Sequence, residues 1–170
     1  MAAHPGETPA VAPEQVAGSS TAPKTSTRKG RSRREHVVIA SPFDDDLLAL
    51  LRIMARANLE SYWWTGCTEA VSTLRDEPAP VVICEAQLHD GTWRDLLERT
   101  EQLPEPPMVI VASRLADDVL WAEALNLGAY DVLAKPFCED EVLRVLGAAC
   151  RAWQGRRDAR KSSGSLAKTA

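Results

Sequence analysis

Short runs of β-branched and apolar residues alternate with segments of helical periodicity between positions 36 and 153. Short apolar runs predict buried strands, and apolar residues three or four positions apart predict amphipathic helices. The predicted strands are, in order, HVVIAS, SYWWTG, VVICEA, MVIVAS and YDVLA. The helices that follow them are DDDLLALLRIMARAN, TEAVSTLRDEP, TWRDLLERTEQL, ADDVLWAEALNLG and CEDEVLRVLGAACRAW.

Strict alternation of strand and helix with short connections predicts a parallel sheet covered by helices on both faces. The expected fold is α/β: a flavodoxin-like, doubly wound, five-stranded parallel sheet of order 2-1-3-4-5 with five helices. Gly128 is predicted to end the fourth helix. In such sheets ligands bind at the carboxyl ends of the strands, which is where Glu85 follows the third strand.

Composition divides the chain into an acidic centre and two basic flanks. Residues 36–153 hold nine Lys/Arg against twenty Asp/Glu, a net charge of −11. Residues 1–35 are rich in small residues and proline and end in the basic cluster RKGRSRRE, and residues 154–170 hold five Lys/Arg against one Asp. Such segments bury too little apolar surface to fold alone, so both are predicted to be disordered basic tails.

The cysteines and the hydropathy profile constrain the cellular setting. The four cysteines, at 67, 84, 138 and 150, show no spacing typical of a zinc site. No apolar run approaches the roughly 18 residues of a membrane span, and the N-terminus lacks the apolar stretch of a signal peptide. We therefore expect a reduced, cytoplasmic protein that makes no membrane contact.

Two motifs carry a family resemblance. NLGAYDVLAKPF and VVICEAQLHDG, with their order and separation, resemble the receiver domain of bacterial two-component response regulators over residues 36–153. The resemblance implies phosphoryl transfer from a histidine kinase to an aspartate after the third strand. It also implies an acidic pair after the first strand that holds Mg²⁺, a hydroxyl residue after the fourth, an aromatic residue in the fifth, and a lysine after the fifth.

Only Lys135, followed by Pro136, matches these functional positions outright. The others differ in chemistry: Ser41 and Pro42 replace the acidic pair, Glu85 replaces the aspartate, Ala112 (or Ser113, after a one-residue shift) stands for the hydroxyl residue, and Val132 replaces the aromatic residue. The resemblance thus implies a degenerate phosphoacceptor pocket, or pseudo-receiver, with no catalytic residue and no cofactor. Since no glycine-rich phosphate loop or triad-like set is visible either, we expect a protein that is not an enzyme.

Three interpretations of Glu85 remain open. It could accept phosphate, although its extra methylene displaces the carboxylate in a reaction dominated by positioning. It could mimic a phosphorylated aspartate by extending toward Lys135. It could also form a structural ion pair with Lys135, because a buried lysine without a partner is costly.

An alternative preserves phosphorylation through displaced carboxylates. Asp44 and Asp45 would hold Mg²⁺ in this case, whereas the simpler interpretation of positions 44–46 is a charge cluster at a helix N-terminus. His89 is interpreted as a polar loop residue rather than a metal ligand, and Asp90-Gly91 as a turn.

The remaining function lies in surfaces. If Ala122 and Leu125 face the core, Leu120 and Trp121 point outward, and with Tyr130 they form a candidate partner-binding surface. The expected partner is a signalling protein or a second copy bound through the fourth helix. Nucleic-acid binding through the basic tails is a less favoured alternative, because the acidic centre repels phosphates. The 17 residues after position 153 are too few for an output domain, so we expect a stand-alone domain.

Overall fold

The structure, a computed structural model, describes residues 36–42 and 44–166, with side chains described through residue 162. The predicted tail at 1–35, including RKGRSRRE, lies outside the described residues. The elements are, in order, β1 (His36–Ala40), α1 (Asp45–Arg56), β2 (Glu60–Trp64), α2 (Cys67–Asp76), β3 (Val81–Glu85), β4 (Gln87–Leu88), β5 (Gly91–Thr92), α3 (Trp93–Glu101), β6 (Met108–Ser113), α4 (Asp118–Leu127), β7 (Asp131–Ala134) and α5 (Glu139–Leu166).

Five strands form one parallel sheet of order β2-β1-β3-β6-β7. Because β4 and β5 form a separate small antiparallel hairpin, this order is the predicted 2-1-3-4-5. The predicted fold class is therefore confirmed. The hairpin was not predicted, since two-residue strands leave no hydrophobic periodicity to detect.

Two apolar layers enclose the central strands. Along β3, Val82 and Cys84 pack with α2 and α3, whereas Val81 and Ile83 pack with α1 and α5. Burial on both faces explains why the strands are continuously apolar rather than alternating. The consequence is that Glu85, the first ionisable residue after this run, lies at the rim where the buried strand ends.

The fourth helix is oriented differently from the prediction. Ala124 is fully buried and Leu120 packs against the core, whereas the side chains of Ala122 and Leu125 are exposed. The prediction that Leu120 points outward and Leu125 inward was wrong, because α4 is apolar nearly all round and its sequence does not define one core-facing stripe. Gly128 ends the helix in the left-handed conformation, with φ 105°, as predicted.

The last helix continues past the predicted boundary at position 153. It reaches Leu166, so the prediction of disorder is wrong for residues 154–166, while 167–170 lie outside the described residues. The Arg157 guanidinium stacks 5.1 Å from the ring centre of Trp153, and Arg160 donates to the Pro104 carbonyl at 3.2 Å. These contacts, with the good helix propensity of Ala, Arg and Lys, extend a segment too polar to form its own core.

Two further predictions concern individual side chains. Trp63 and Trp64, adjacent in β2, pack against opposite apolar layers, as expected for neighbouring strand positions. All four cysteines are free thiols. Within residues 36–42 and 44–166, no helix has both the length and the apolar character needed to cross a bilayer.

Candidate functional site

A cleft of about 540 Å³ lies at the carboxyl ends of the strands. Glu85 ends β3, Ser113 ends β6 and Lys135 follows β7, so parallel topology brings all three to the same edge of the sheet. Pro42 and Asp44 line the cleft from the segment after β1. Of the sequence-predicted pocket residues, Ser41 and Ala112 do not line the cleft, although Ser41 contacts Glu85.

Lys135 lies at the centre of a network of four charges. Its side chain is only 3% exposed, and its Nζ contacts Glu85 Oε1 and lies 3.3 Å from Asp46 Oδ2. Asp46 Oδ2 also accepts a hydrogen bond from Arg114 at 2.5 Å. Two carboxylates and two cations therefore neutralise one another within the pocket.

The environment of Glu85 combines burial with a close cation. Burial raises the pKa of Glu85, the hydrogen bond and charge of Lys135 lower it in part, and the charges of Asp44 and Asp46 raise it further. The Ser41 hydroxyl lies 3.5 Å from Glu85 Oε1 and 3.1 Å from the Pro42 carbonyl oxygen. Glu85 is held mainly by its ion pair with Lys135.

Asp46 is the functional residue that sequence reasoning missed. The alternative metal site named Asp44 and Asp45, but Asp44 caps α1 by accepting from the Leu47 N–H at 2.9 Å, and Asp45 is exposed. Asp46 is 7% exposed and reaches Lys135. Its position could have been found from helical periodicity, because it lies one turn before Leu50 on the buried side of α1.

The structure places Ser113, rather than Ala112, at the cleft. Ala112 pairs in register with Glu85 but is 1% exposed and belongs to the apolar layer beside α1 and α5. The Ser113 hydroxyl accepts a hydrogen bond from the Leu115 N–H at 3.0 Å. The alignment of Ala112 with the hydroxyl position is therefore corrected to the one-residue shift, and the pocket retains a hydroxyl group.

The implied Mg²⁺ does not fit the donor set of this pocket. Carboxylate oxygens are suitable ligands for a hard cation. However, Glu85 and Asp46 already pair with Lys135 and Arg114, and Asp44 caps α1. A divalent ion at these carboxylates would have to displace two cations that the fold supplies, one of them buried.

A second polar cluster lies beside the pocket, where the β4–β5 turn meets α2. Asp90 accepts hydrogen bonds from the N–H groups of Cys67 and Thr68 at 2.6 and 3.0 Å, and from the Thr68 hydroxyl at 2.7 Å. Desolvation alone would raise the pKa of Asp90, but these hydrogen bonds outweigh it and hold the pKa well below its usual value. Asp90 therefore caps α2 from a distant segment.

His89 supports the same cap. Its Nδ1 lies 3.0 Å from the Thr65 carbonyl oxygen, and a Cβ at Gly66 would meet its ring carbon at 2.2 Å. The turn residue thus fits because position 66 has no side chain. Within the described residues, Glu69, His89 and Asp90 form a group whose ligand atoms lie within 4.8 Å of one another, but both oxygens of Asp90 serve the cap.

No protein-family model matches the chain. It is similar to the acid tolerance regulatory proteins ActR of Rhizobium meliloti (strain 1021) and Sinorhizobium medicae (strain WSM419), each 28% identical over 107 residues, covering 60% of this chain and 55% of the relative. The chain spans about half the length of the curated relatives it matches.

Solved structures with the same fold include receiver domains. The signal receiver domain of an HD domain-containing protein from Pseudomonas fluorescens Pf-5 has a TM-score of 0.68 and 23% identity, covering 77% of this chain and 97% of that one. A two-component response regulator from Clostridium difficile gives 0.62 and 19%, covering 69% and 96%. The receiver domain of a sensor histidine kinase from Pseudomonas aeruginosa PAO1, with magnesium in its cleft, gives 0.61 and 14%, covering 68% and 97%. The chain therefore has the fold of response-regulator receiver domains, as the sequence resemblance predicted.

Proposed function

We propose that this chain is a non-enzymatic signalling module that binds a protein partner constitutively, without a phosphorylation switch. The receiver-domain fold and the sequence similarity to a regulatory protein support the signalling class. The loss of the switch is inferred from the pocket, and the binding role from an exposed apolar face of α4.

The observation that carries the proposal is the enclosure of Lys135 between Glu85 and Asp46. A lysine that must bind an incoming phosphoryl group has to be available to it, but this ammonium is 3% exposed and already faces two carboxylates. Placing a phosphoryl group there would bring additional negative charge beside Glu85 and Asp46. Phosphoryl transfer depends on positioning and on neutralising the charge of the phosphoryl group. In this pocket the two cations, Lys135 and Arg114, already pair with the carboxylates of Glu85 and Asp46.

Among the interpretations of Glu85, we favour the structural ion pair over the phosphate mimic. A mimic needs a relay to the partner surface, and the position of the family's aromatic residue holds Val132, which is 1% exposed. The Ser113 hydroxyl accepts from its own loop at Leu115. The Glu85–Lys135 ion pair therefore links the ends of β3 and β7. Neither Val132 nor Ser113 is placed to relay a change in the pocket to the partner surface.

The proposed partner-binding surface is the apolar face of α4 and the loop before it. We define the α4 face by its exposed large apolar side chains: Leu115 (80% exposed), Val119 (73%), Trp121 (36%), Leu125 (46%) and Leu127 (49%). Trp121 and Leu125 lie one turn apart on α4, and an exposed tryptophan is typical of interaction sites. This set corrects the sequence-predicted one, since Leu120 lines the cleft and Tyr130 is half-buried against the core.

The test of the lost switch is the response to Mg²⁺ with beryllofluoride, a phosphoryl mimic, followed by amide NMR shifts. We expect no shifts at Glu85 or Lys135 in the folded protein. Shifts there would overturn the proposal. If they disappeared in Asp44→Asn but not in Asp45→Asn, they would establish the displaced-carboxylate mechanism through the cleft-lining Asp44.

A second copy of the chain is the partner that can be tested directly. Sedimentation equilibrium of the native chain and of Trp121→Glu would show whether the α4 face mediates self-association. A dimer lost in Trp121→Glu but retained in Arg144→Glu, a change on the exposed side of α5, would identify the partner as a second copy. A monomer at all concentrations would assign the α4 face to a different protein.

A further inference from the structure

Two grooves meet at the edge of the molecule opposite the cleft. One, of about 220 Å³, lies between the loop at 104–106 and the end of α5. The other, of about 550 Å³, lies between α2 and α3. Pro104 lines both, so the two grooves are adjacent, and together they are called the depression below. The part of α5 that extends beyond position 153 forms one of its walls.

The depression concentrates positive charge on an otherwise acidic domain. Six cationic side chains line it: Arg75, Arg99, Arg156, Arg157, Arg160 and Lys161. A single carboxylate among the lining residues, Glu105, faces them and pairs with Arg157 at 3.5 Å. Residues 36–153 as a whole carry a net charge of −11. The excess of positive charge is therefore local to the depression, where it favours the binding of a negatively charged ligand.

The floor of the depression is apolar. Val71, Leu103 and Trp153 line it with side chains that are 6–7% exposed, beside Pro104. The hydroxyl groups of Thr68 and Ser72 and the side-chain amide of Gln102 also line the second groove and can form hydrogen bonds with a ligand. An apolar floor with a cationic rim matches a ligand that presents apolar and acidic groups together.

We propose that this depression, which we call the basic groove, binds an acidic, apolar-containing segment of a protein partner. The charge of the groove selects acidic side chains, and the floor accepts the apolar ones. This surface is separate from the α4 face and does not depend on the state of the pocket. It assigns a binding role to residues 154–161, which from sequence alone were expected to be a disordered tail.

A peptide segment fits these observations better than nucleic acid. Stacking of successive bases needs several aromatic side chains, and Trp153 is the single aromatic residue among those lining the groove. The acidic domain around the groove repels an extended phosphate backbone, which would run beyond it. A short acidic segment contacts only the cations themselves, within a screening length of roughly 10 Å.

The test measures binding of a fluorescein-labelled peptide of alternating glutamate and leucine to the full chain by fluorescence anisotropy. The double variant Arg75→Glu/Arg156→Glu reverses one cation in each groove. Arg52→Glu/Arg144→Glu makes the same change in net charge at exposed positions outside the groove. We expect the groove variant to bind the peptide at least tenfold more weakly, about 1.4 kcal/mol, and the control variant to bind as the native chain does. Thermal unfolding of both variants checks that each is folded.

Competition and sedimentation discriminate the occupant. A peptide with serine in place of leucine should compete poorly, because it cannot use the apolar floor. The proposal is overturned if the labelled peptide does not bind, if both variants weaken binding equally, or if the serine peptide or an oligonucleotide competes better than the unlabelled glutamate–leucine peptide. Self-association of the native chain that is lost in the groove variant would overturn it too, by showing that a second copy occupies the groove.

Discussion

Two carboxylates five residues apart, Glu85 and Asp90, meet opposite environments. Glu85 lies at the end of a buried strand, where burial raises its pKa and the Lys135 ion pair offsets that shift only in part. Asp90 lies in an adjoining turn, where hydrogen bonds from the start of α2 lower its pKa despite partial desolvation. The pocket therefore holds a charge that needs a partner to be tolerated, whereas the cap holds a charge that the backbone itself stabilises.

This difference shows why residue type alone does not define a role. A carboxylate at a strand end invites a catalytic interpretation, but the Lys135 ammonium neutralises Glu85. A carboxylate in a turn invites no interpretation, but Asp90 satisfies backbone donors of a helix whose N-cap residue, Gly66, has no side chain to do so. Asp90 therefore has a structural role, capping α2, that its position in the sequence did not reveal.

The largest effect is expected on removing the cation of the pocket. Lys135→Met leaves the Glu85 carboxylate buried without its partner, and we expect a loss of about 3–5 kcal/mol in the free energy of unfolding, measured with urea. Glu85→Met/Lys135→Met should recover most of the loss, since Asp46 keeps Arg114 as its partner. A double variant as unstable as the single one would show that the ion pair is not the reason for the loss.

Removing the cap should have a smaller effect. Asp90→Ala deprives the first N–H groups of α2 of their acceptor, and we expect a cost of about 0.5–2 kcal/mol in urea unfolding. Glu69→Ala removes an exposed carboxylate from the first turn of the same helix without breaking this cap. Equal losses in both variants would mean that charge near the helix N-terminus, rather than the hydrogen bonds of Asp90, stabilises α2.

The pH dependence of stability should have opposite signs at the two carboxylates. The raised pKa of Glu85 means that the native chain gains stability relative to Glu85→Gln as pH falls toward 4.5, and loses it as pH rises through the folded-state pKa. The lowered pKa of Asp90 means that the advantage over Asp90→Asn is present above 3.8 and lost as pH falls below it. Urea unfolding of the three proteins at pH values from below 3.8 to well above 4.5 measures both effects. Parallel curves would contradict the contrast.

The smallest effect is expected at the outer cation of the pocket. Arg114 has a 66% exposed side chain, and Asp46 keeps Lys135 at 3.3 Å when it is removed. Arg114→Ala should therefore cost at most about 1 kcal/mol in urea unfolding, similar to Arg94→Ala, which breaks an exposed pair with Glu123. A loss as large as that of Lys135→Met would make Arg114 the main counter-charge of Asp46.

Sequence reasoning recovered the sheet and its order because buried strands leave long apolar runs. It also brought Glu85 and Lys135 to one pocket, since parallel topology fixes where strands end. It did not separate Asp46 from its two neighbouring aspartates, because consecutive carboxylates at a helix start look alike until the helix phase is fixed. For the same reason, the nearly uniform apolar character of α4 hid which way Leu120 and Leu125 face.

The end of α5 was missed for a different reason. This part of the helix is stabilised by contacts with the loop at 104–106, which is distant in sequence. Such contacts cannot be inferred from the composition of the helix end itself. The β4–β5 hairpin shows the same limitation, because its turn is fixed by α2 and by the space above Gly66. Both are tertiary effects that override local propensity.

The helical state of residues 154–161 changes what a protease would encounter. Arg156, Arg157, Arg160 and Lys161 are trypsin sites that would be cut at once in an extended chain. In the folded protein each peptide bond lies within a helix, so cleavage must wait for that part of α5 to open. When opening and closing are fast relative to cutting, the cleavage rate reports the free energy of that opening. The arginines that make this segment resemble a tail in the sequence thus provide a built-in kinetic probe of its folding.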